Sequence, residues 1–444
     1  MRLASFAAAV LPLMTASAVA CRSVDEPYSY NEDFSADVLN DNSWTLVVDG
    51  DAPIGATAFW TQEEGVEGGG CVFISSPERA QVSVCHSIEG LDPGKIYRAS
   101  ASLRTLGVAD GRGAVLTVET EGSDQIWNAS EFCYGDNDWK EVYVDFVPSA
   151  DGKAQIRCRL GDHGGTYNGG TALGKVWWDN VSVREVRYDE LHVREGKHIR
   201  LALDTDKVNV SDSVLDVWLA NLDSVYESYG RLVGGVPFNG KRITILTTPG
   251  VEKGYWALAG NPILWNNNVG IGGSLLKTKD DGDWNFGLMH EIGHTFSGYS
   301  RQDGSRTNSA WNWNDEIFAN FRMSYALEDC GGRMEQRGIF YNGEENMDYY
   351  KTAYDATLGA GLAENNSDAL HYTFLRIARK YGWQVYERAF RMLYALSVDE
   401  TASLKTDFDK FRFFLSYVSK AAGEDVLRTC YSALELELIE KSLR

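Results

Sequence analysis

His290-Glu291-Ile292-Gly293-His294 is the stretch that decides how the C-terminal half of this chain is read. On a helix, positions i and i+4 share a face with Cβ atoms roughly 5–6 Å apart. Two imidazoles so placed can reach one Zn2+ at about 2.0–2.1 Å. Glu291 lies one residue on, where it can act on water at such a site without being a ligand. The chain has 7 histidines in 444 residues, and a chance HExxH is expected in roughly one such chain in a hundred. The alternative for the motif alone is two helix histidines satisfied by surface contacts.

Zinc needs a third protein ligand and an open position. One extended form of the motif carries a Gly and a third His where Ser297 and Ser300 stand here, so that form is excluded. Glu316 offers another route, on a predicted helix that Asn312 or Asn314 can cap. Asn320 lies one turn later on the same face, placed to hydrogen-bond the far nitrogen of a zinc-bound His and fix its tautomer. Alone, Glu316 reads as an N-terminal helix acid favoured by the dipole. Beside HExxH it reads as the third ligand, and the chemistry implied is zinc-assisted hydrolysis with Glu291 as the base.

Working outward, 444 residues with 44% hydrophobic and 12% aromatic content suit two to three globular domains. A net charge of −21 argues against nucleic acid or an anionic membrane as a partner. Residues 1–20 read as an export signal, with Arg2, an apolar run over 3–14 and an Ala18-Val19-Ala20 cleavage site. The expected location is therefore extracellular or the bacterial outer surface. No later stretch is apolar enough for a transmembrane helix. Cys21 follows the cleavage point and is a candidate lipid anchor, although Ala18 stands where a lipobox carries a large aliphatic residue. The other six cysteines divide into Cys71, Cys85, Cys133 and Cys158 in the N-terminal half and Cys330 and Cys430 in the C-terminal half. Even counts in an exported chain suit disulfides of unreadable connectivity, against free buried thiols.

Residues 28–187 read as all-β, with short alternating runs such as Ala80-Gln-Val-Ser-Val84 and Ala114-Val-Leu-Thr-Val118 between Gly, Asp and Asn clusters. From about residue 188 the period changes. Helices are expected over 211–232, around the HExxH motif and Glu316, and near 367–380, 383–396, 407–421 and 424–441, with a strand at 242–248. The boundary near 187–195 has no Pro/Gly-rich linker, so the two parts are expected to pack directly.

The C-terminal half resembles the enhancin-like, mucin-targeting zinc peptidases of metallopeptidase family M-sixty, in the gluzincin clan. The resemblance is carried by the HExxH, by Trp311 or Trp313 shortly before Glu316, and by Asn320. Gly254-Tyr-Trp-Ala-Leu-Ala-Gly-Asn-Pro-Ile-Leu-Trp265 and the Gly382-Trp383 step after Phe374-Leu-Arg-Ile-Ala-Arg-Lys-Tyr381 add to it. It implies an O-glycopeptidase that cleaves mucin-type O-glycosylated proteins, often beside a glycosylated Ser or Thr. The N-terminal half resembles jelly-roll carbohydrate-binding modules of families four, nine and twenty-two, through Asn31-Glu-Asp-Phe34, Leu91-Asp-Pro-Gly94 and Trp178-Asp179-Asn180-Val181. Such modules often hold a structural Ca2+, for which the resemblance offers Asp179. They bind glycans through aromatics, for which Trp60, Trp127 and Tyr134 are candidates against ordinary packing roles.

The expected architecture is thus a jelly-roll sandwich (28–187) followed by a mostly helical α+β zinc peptidase domain of gluzincin type (188–444). Tyr299 and His371 are candidates for the donor to the tetrahedral oxyanion. Trp311 and Trp313 are candidate substrate-pocket aromatics, with core packing as the alternative. Residues 254–258 are a candidate edge strand for pairing with an extended substrate. Competing functions are a general zinc peptidase without a glycan requirement, a glycan-binding adhesin with an inert peptidase domain, and a glycoside hydrolase using two carboxylates.

Overall fold

The computed structural model describes residues 27–49, 54–120, 128–162, 170–251, 254–298, 307–357 and 367–443. The expected export signal, Cys21, Trp127, His163 and Tyr299 lie outside these residues.

The N-terminal part has nine strands: β1 (Ser29–Glu32), β2 (Thr45–Asp49), β3 (Thr57–Thr61), β4 (Cys71–Ile88), β5 (Tyr97–Ala109), β6 (Ala114–Glu119), β7 (Gly135–Phe146), β8 (Ala154–Leu160) and β9 (Ala172–Glu185). Every pairing among them is antiparallel. One layer runs β3-β4-β9-β5-β7 with β1 beside β9, and the other runs β2-β4-β8-β6. β4 serves both layers. Its first half pairs with β9 and its second with β8, and the register shifts between Ser76 and Ala80. Pro77 sits in that break, where it removes no ladder donor that either layer needs. Alternation does the rest: Tyr97, Ala99, Ala101 and Leu103 of β5 point inward to join Phe34, Trp44 and Trp178 in one core. This is an antiparallel sandwich of the jelly-roll kind.

The disulfide expectation is corrected. Among the described residues the six cysteines form no disulfide. Cys71, Cys85, Cys133 and Cys158 are buried in the sandwich and act as small apolar residues there.

The second part mixes a small sheet with helices. Its strands β10 (Leu191–Glu195), β11 (Ile199–Asp204), β12 (Ile243–Thr248), β13 (Ala257–Leu258) and β14 (Ile263–Asn266) lie in the order β10-β11-β12-β14-β13, so β13 is an edge. Helices α1 (Asp212–Val233), α2 (Ile271–Asp281), α3 (Phe286–Thr295) and α4 (Asp315–Cys330) precede a hairpin of β15 (Arg333–Gln336) and β16 (Ile339–Asn342). Seven more follow: α5 (Asn346–Thr357), α6 (Ser367–Tyr381), α7 (Gln384–Tyr394), α8 (Val398–Thr401), α9 (Asp407–Ala422), α10 (Val426–Cys430) and α11 (Ala433–Leu443). The single helix expected near 424–441 is two. Ser432 accepts from the Glu435 N–H, and Glu435 accepts from the Ser432 N–H, so a new helix starts there. No helix among the described residues is long and apolar enough to cross a membrane.

Strand alternation splits the five-stranded sheet between two cores. Ile199, Leu201, Ile243, Ile245, Ile263 and Trp265 face the helices. Ala202, Leu246 and Leu264 face the other way, where they meet Ile96 and Val147 of the sandwich. The sandwich is therefore the second cover of this sheet, and the two parts pack directly.

Two expectations about aromatics are corrected here. Trp311 is fully buried, with its ring 5.3–5.9 Å from Phe318, Phe390, Tyr394 and Phe414. Trp313 packs on Phe318, Phe374, Phe411 and Phe414. Trp311 is a core residue and Trp313 is partly buried against the same core, and together they hold α4 to α6, α7 and α9. Trp311→Ala is expected to destabilise the chain by about 3–5 kcal/mol. A denaturant titration followed by fluorescence checks this, and a change below about 1 kcal/mol would contradict the packing role.

Candidate metal centre

The α3 and α4 helices build the site. Asn285 caps α3 by accepting the Leu288 N–H at 3.1 Å. Asn314 caps α4 by accepting from Glu316 and Ile317. A Cβ at Gly293 would stand 3.1 Å from the Ala319 backbone, so the glycine lets the two helices cross closely. Leu288, Met289 and Ile292 bury one side of α3. The opposite side carries His290 and His294.

The Nε2 atoms of His290 and His294 lie 2.9 Å apart. Glu316 brings one oxygen to 2.9 Å from His290 Nε2 and the other to 3.5 Å from His294 Nε2. One ligand atom from each residue falls within 4.8 Å of the others, and this is the group among the described residues that could hold a metal ion. The far nitrogens are tied down. His290 Nδ1–H donates to Asn320 Oδ1 at 2.8 Å, and His294 Nδ1–H donates to Asp315 Oδ2 at 2.6 Å. An amide oxygen and a carboxylate only accept, so the neutral form of each imidazole carries its lone pair on Nε2, toward the centre. Three electron-rich atoms this close are placed to share a cation. Two imidazole nitrogens and a carboxylate are a donor set that suits Zn2+. The two imidazoles are only 12–14% exposed, while Glu316 is 65% exposed and leaves the site open on one side.

The electrostatics follow the same convergence. Burial opposes charge on His294, but Asp315 and Glu316 push its pKa up to about 10. The two imidazoles hold the Glu316 carboxyl far below its ordinary value. Burial pushes Glu291 up, against the nearby imidazoles and a hydrogen bond from the Ala259 backbone.

Asp315 was not among the residues expected here. It accepts from His294, from Ser297 Oγ and from Asn312 Nδ2. Arg322 stands 3.8 Å away, is fully buried, and donates to Gly293 O and the Tyr394 hydroxyl. Burial raises the Asp315 carboxyl, and His294 and Arg322 more than offset that. The sequence signal for Asp315 was an acid next to Glu316, which the helix dipole alone also explains. The signal for Arg322 was a lone guanidinium between Phe321 and Met323.

Two open spaces flank the cluster. One, of about 620 Å3, runs over residues 254–260 and includes His290, Glu291 and Glu316 in its wall. The other, of about 610 Å3, lies between Phe286, Gly287, Gln336, Arg337 and Asp368. Trp256 borders both, and a Cβ at Gly287 would meet its indole at 2.5 Å. Residues 254–258, expected as an edge element, do border the site through β13.

Other expected residues stand elsewhere. His371 is fully buried, with its ring 3.9 Å from that of Tyr350, and Nε2 is 3.0 Å from Ser324 Oγ. Burial lowers its pKa to about 3, and it is a core residue, not an oxyanion donor. Asp179 spends its oxygens on the backbone N–H groups of Val66 and Asn180. The bond to Val66 ties β9 to the 65–68 turn. Trp60 donates to Phe34 O and packs on the sandwich core. Tyr134 is half exposed and its hydroxyl donates to Gly111 O.

No family model matches the chain, and no curated protein matches it. Two solved structures of a functionally unknown conserved protein from Bacillus anthracis str. Ames, one of them a mutant, align over most of their length. The mutant is 15% identical, with 80% of this chain and 75% of that chain covered at a TM-score of 0.43. The other is 14% identical, covering 81% and 79% at 0.42. The CBM22-1 xylan-binding domain from Paenibacillus barcinonensis Xyn10C is 14% identical and covers 36% of this chain and 94% of that chain at 0.25. At these TM-scores the likenesses carry no argument, and the site stands on its own geometry.

Asp315→Asn is expected to weaken zinc binding by about 10–100-fold, because a neutral amide supports His294 less well than a carboxylate. Competition against a fluorescent chelator measures it. Affinity equal to that of the parent protein would remove Asp315 from this role.

Proposed function

We propose that this chain is an exported zinc peptidase of gluzincin type. The observation that carries the reading is the convergence of two Nε2 lone pairs and the Glu316 carboxylate, with both Nδ1 atoms hydrogen-bonded outward. His290, His294 and Glu316 would hold the ion. Zn2+ bound there supplies a Lewis acid that polarises a scissile carbonyl and makes water acidic enough to ionise near neutral pH. Glu291 takes the proton from the attacking water and returns a proton to the leaving amine. The free edge of β13 offers backbone groups to an extended peptide, which would lie across Glu291.

The proposed substrates are mucin-type O-glycosylated proteins. The space beside Phe286 combines apolar surface with the hydrogen-bonding groups of Gln336, Arg337 and Asp368, as a sugar with an apolar face and hydroxyls needs. The sandwich is proposed to bind glycans, and Cys21 to anchor the exported chain. The test is mass spectrometry of products from one O-glycopeptide and its unglycosylated twin, with and without a zinc chelator. Chelator-sensitive cleavage of the glycosylated form alone is expected. Equal cleavage of both would remove the glycan requirement and leave the zinc chemistry. Cleavage that survives complete zinc removal would end the metallopeptidase reading.

A further inference from the structure

A separate cavity of about 410 Å3 lies where the sandwich meets the five-stranded sheet. Its charge is opposite to that of the chain. In a protein of net charge −21, Arg200, Lys241 and Arg242 gather on one wall. One acid, Glu195, meets them, at 3.0 Å from Arg242 and 3.9 Å from Arg200. That leaves an excess of positive charge.

Arg200 is built in. It is 7% exposed, donates Nε–H to Thr244 Oγ1 at 3.0 Å, and donates from Nη1 to Gly94 O of the sandwich at 2.6 Å. These bonds fix the guanidinium plane and leave Nη2 without a protein acceptor among the described residues. Burial and the neighbouring Arg242 both work against its charge, and Glu195 supports it. An anion in the cavity would relieve that repulsion. The remaining wall is not what a bare ion requires. Thr120 offers a hydroxyl, and Pro148 and Phe238 apolar surface, while Ser149 and Asn261 shape the wall through bonds within the chain. Phe238 also lines the cleft over β13, so the two spaces share a wall.

We propose that this inter-module cavity binds an acidic sugar unit, carboxylated or sulfated, carried by the substrate outside the segment that is cut. Only the identity of the carrier rests on the peptidase reading; the binding itself does not.

The test uses the full chain bearing Glu291→Gln, titrated calorimetrically at low salt. The probes are N-acetylneuraminic acid, galactose 6-sulfate, galactose and inorganic sulfate. Saturable binding of at least one acidic sugar is expected, and which one binds separates the carboxylate from the sulfate. Galactose should not bind, and affinity should fall as salt rises. The exposed pair Lys241→Glu with Arg242→Glu should weaken binding by roughly tenfold or more with an unchanged melting midpoint. Equal binding of galactose, or unweakened binding by the double variant, would overturn the proposal. Inorganic sulfate binding as tightly as either sugar would do so too, as an adventitious ion only. Binding should persist under chelation, so a failed peptidase assay and a failed result here remain distinguishable.

Discussion

Glu291→Gln is expected to reduce peptide hydrolysis by about 10²–10⁴-fold while zinc content stays at the parent level. The amide keeps the size and shape of the carboxylate, so the α3 backbone and the two imidazoles keep their places. It cannot accept a proton, so the attacking water loses its base. The change should fall on kcat, since Glu291 is not among the groups that converge as ligands. Metal analysis and turnover on one peptide decide it together. Turnover retained at the parent rate would remove Glu291 as the base, and loss of zinc would make it a structural residue of the centre.

The second large effect is on stability. Arg322→Met should lower it by about 2–3 kcal/mol, because a fully buried guanidinium that donates to Gly293 O and to the Tyr394 hydroxyl is removed. Arg322 is fully buried and contacts three things at once: Gly293 O inside the HExxH turn, the Tyr394 hydroxyl on α7, and the Asp315 carboxylate. Tyr394 in turn donates to Phe296 O just past α3. Losing the guanidinium frees the end of α3 and leaves Asp315 with neutral donors and His294 alone. Urea unfolding followed by circular dichroism measures the loss. A shift of less than about 1 kcal/mol would mean that Ser297 and Asn312 satisfy Asp315 without help.

The parts of the candidate centre legible in the sequence were those fixed by helix periodicity. His290 and His294 share a face by spacing alone, and Glu316 and Asn320 do likewise. The partners chosen by tertiary packing were hidden. Trp311 and Trp313 sit beside the motif in sequence, and that proximity made them look like pocket residues. Their fate was decided by Phe414 of α9 and Phe374 of α6, far along the chain. His371 lay on a helix face whose burial no local pattern announced, and Asp315 was masked by the ordinary preference for acids at a helix start. The same holds for the sheet. The run Ile243-Thr-Ile-Leu-Thr-Thr248 reads as a strand, but nothing local says that Leu246 would face a different core from Ile243 and Ile245.

That second face has an evolutionary corollary. Many modular proteins join their parts by tethers, and a tethered part can be exchanged without disturbing its neighbour. Here Ala202, Leu246, Val251 and Leu264 pack with Ile96 and Val147 of the sandwich, beside Leu191, Tyr255 and Leu258 of their own part. Cutting the gene near codon 188 would expose a continuous oily surface on the sheet, an invitation to aggregate. A replacement part would need to reproduce the complement of that surface, residue by residue. Exchange of the sandwich alone would therefore leave that side of the sheet without its cover.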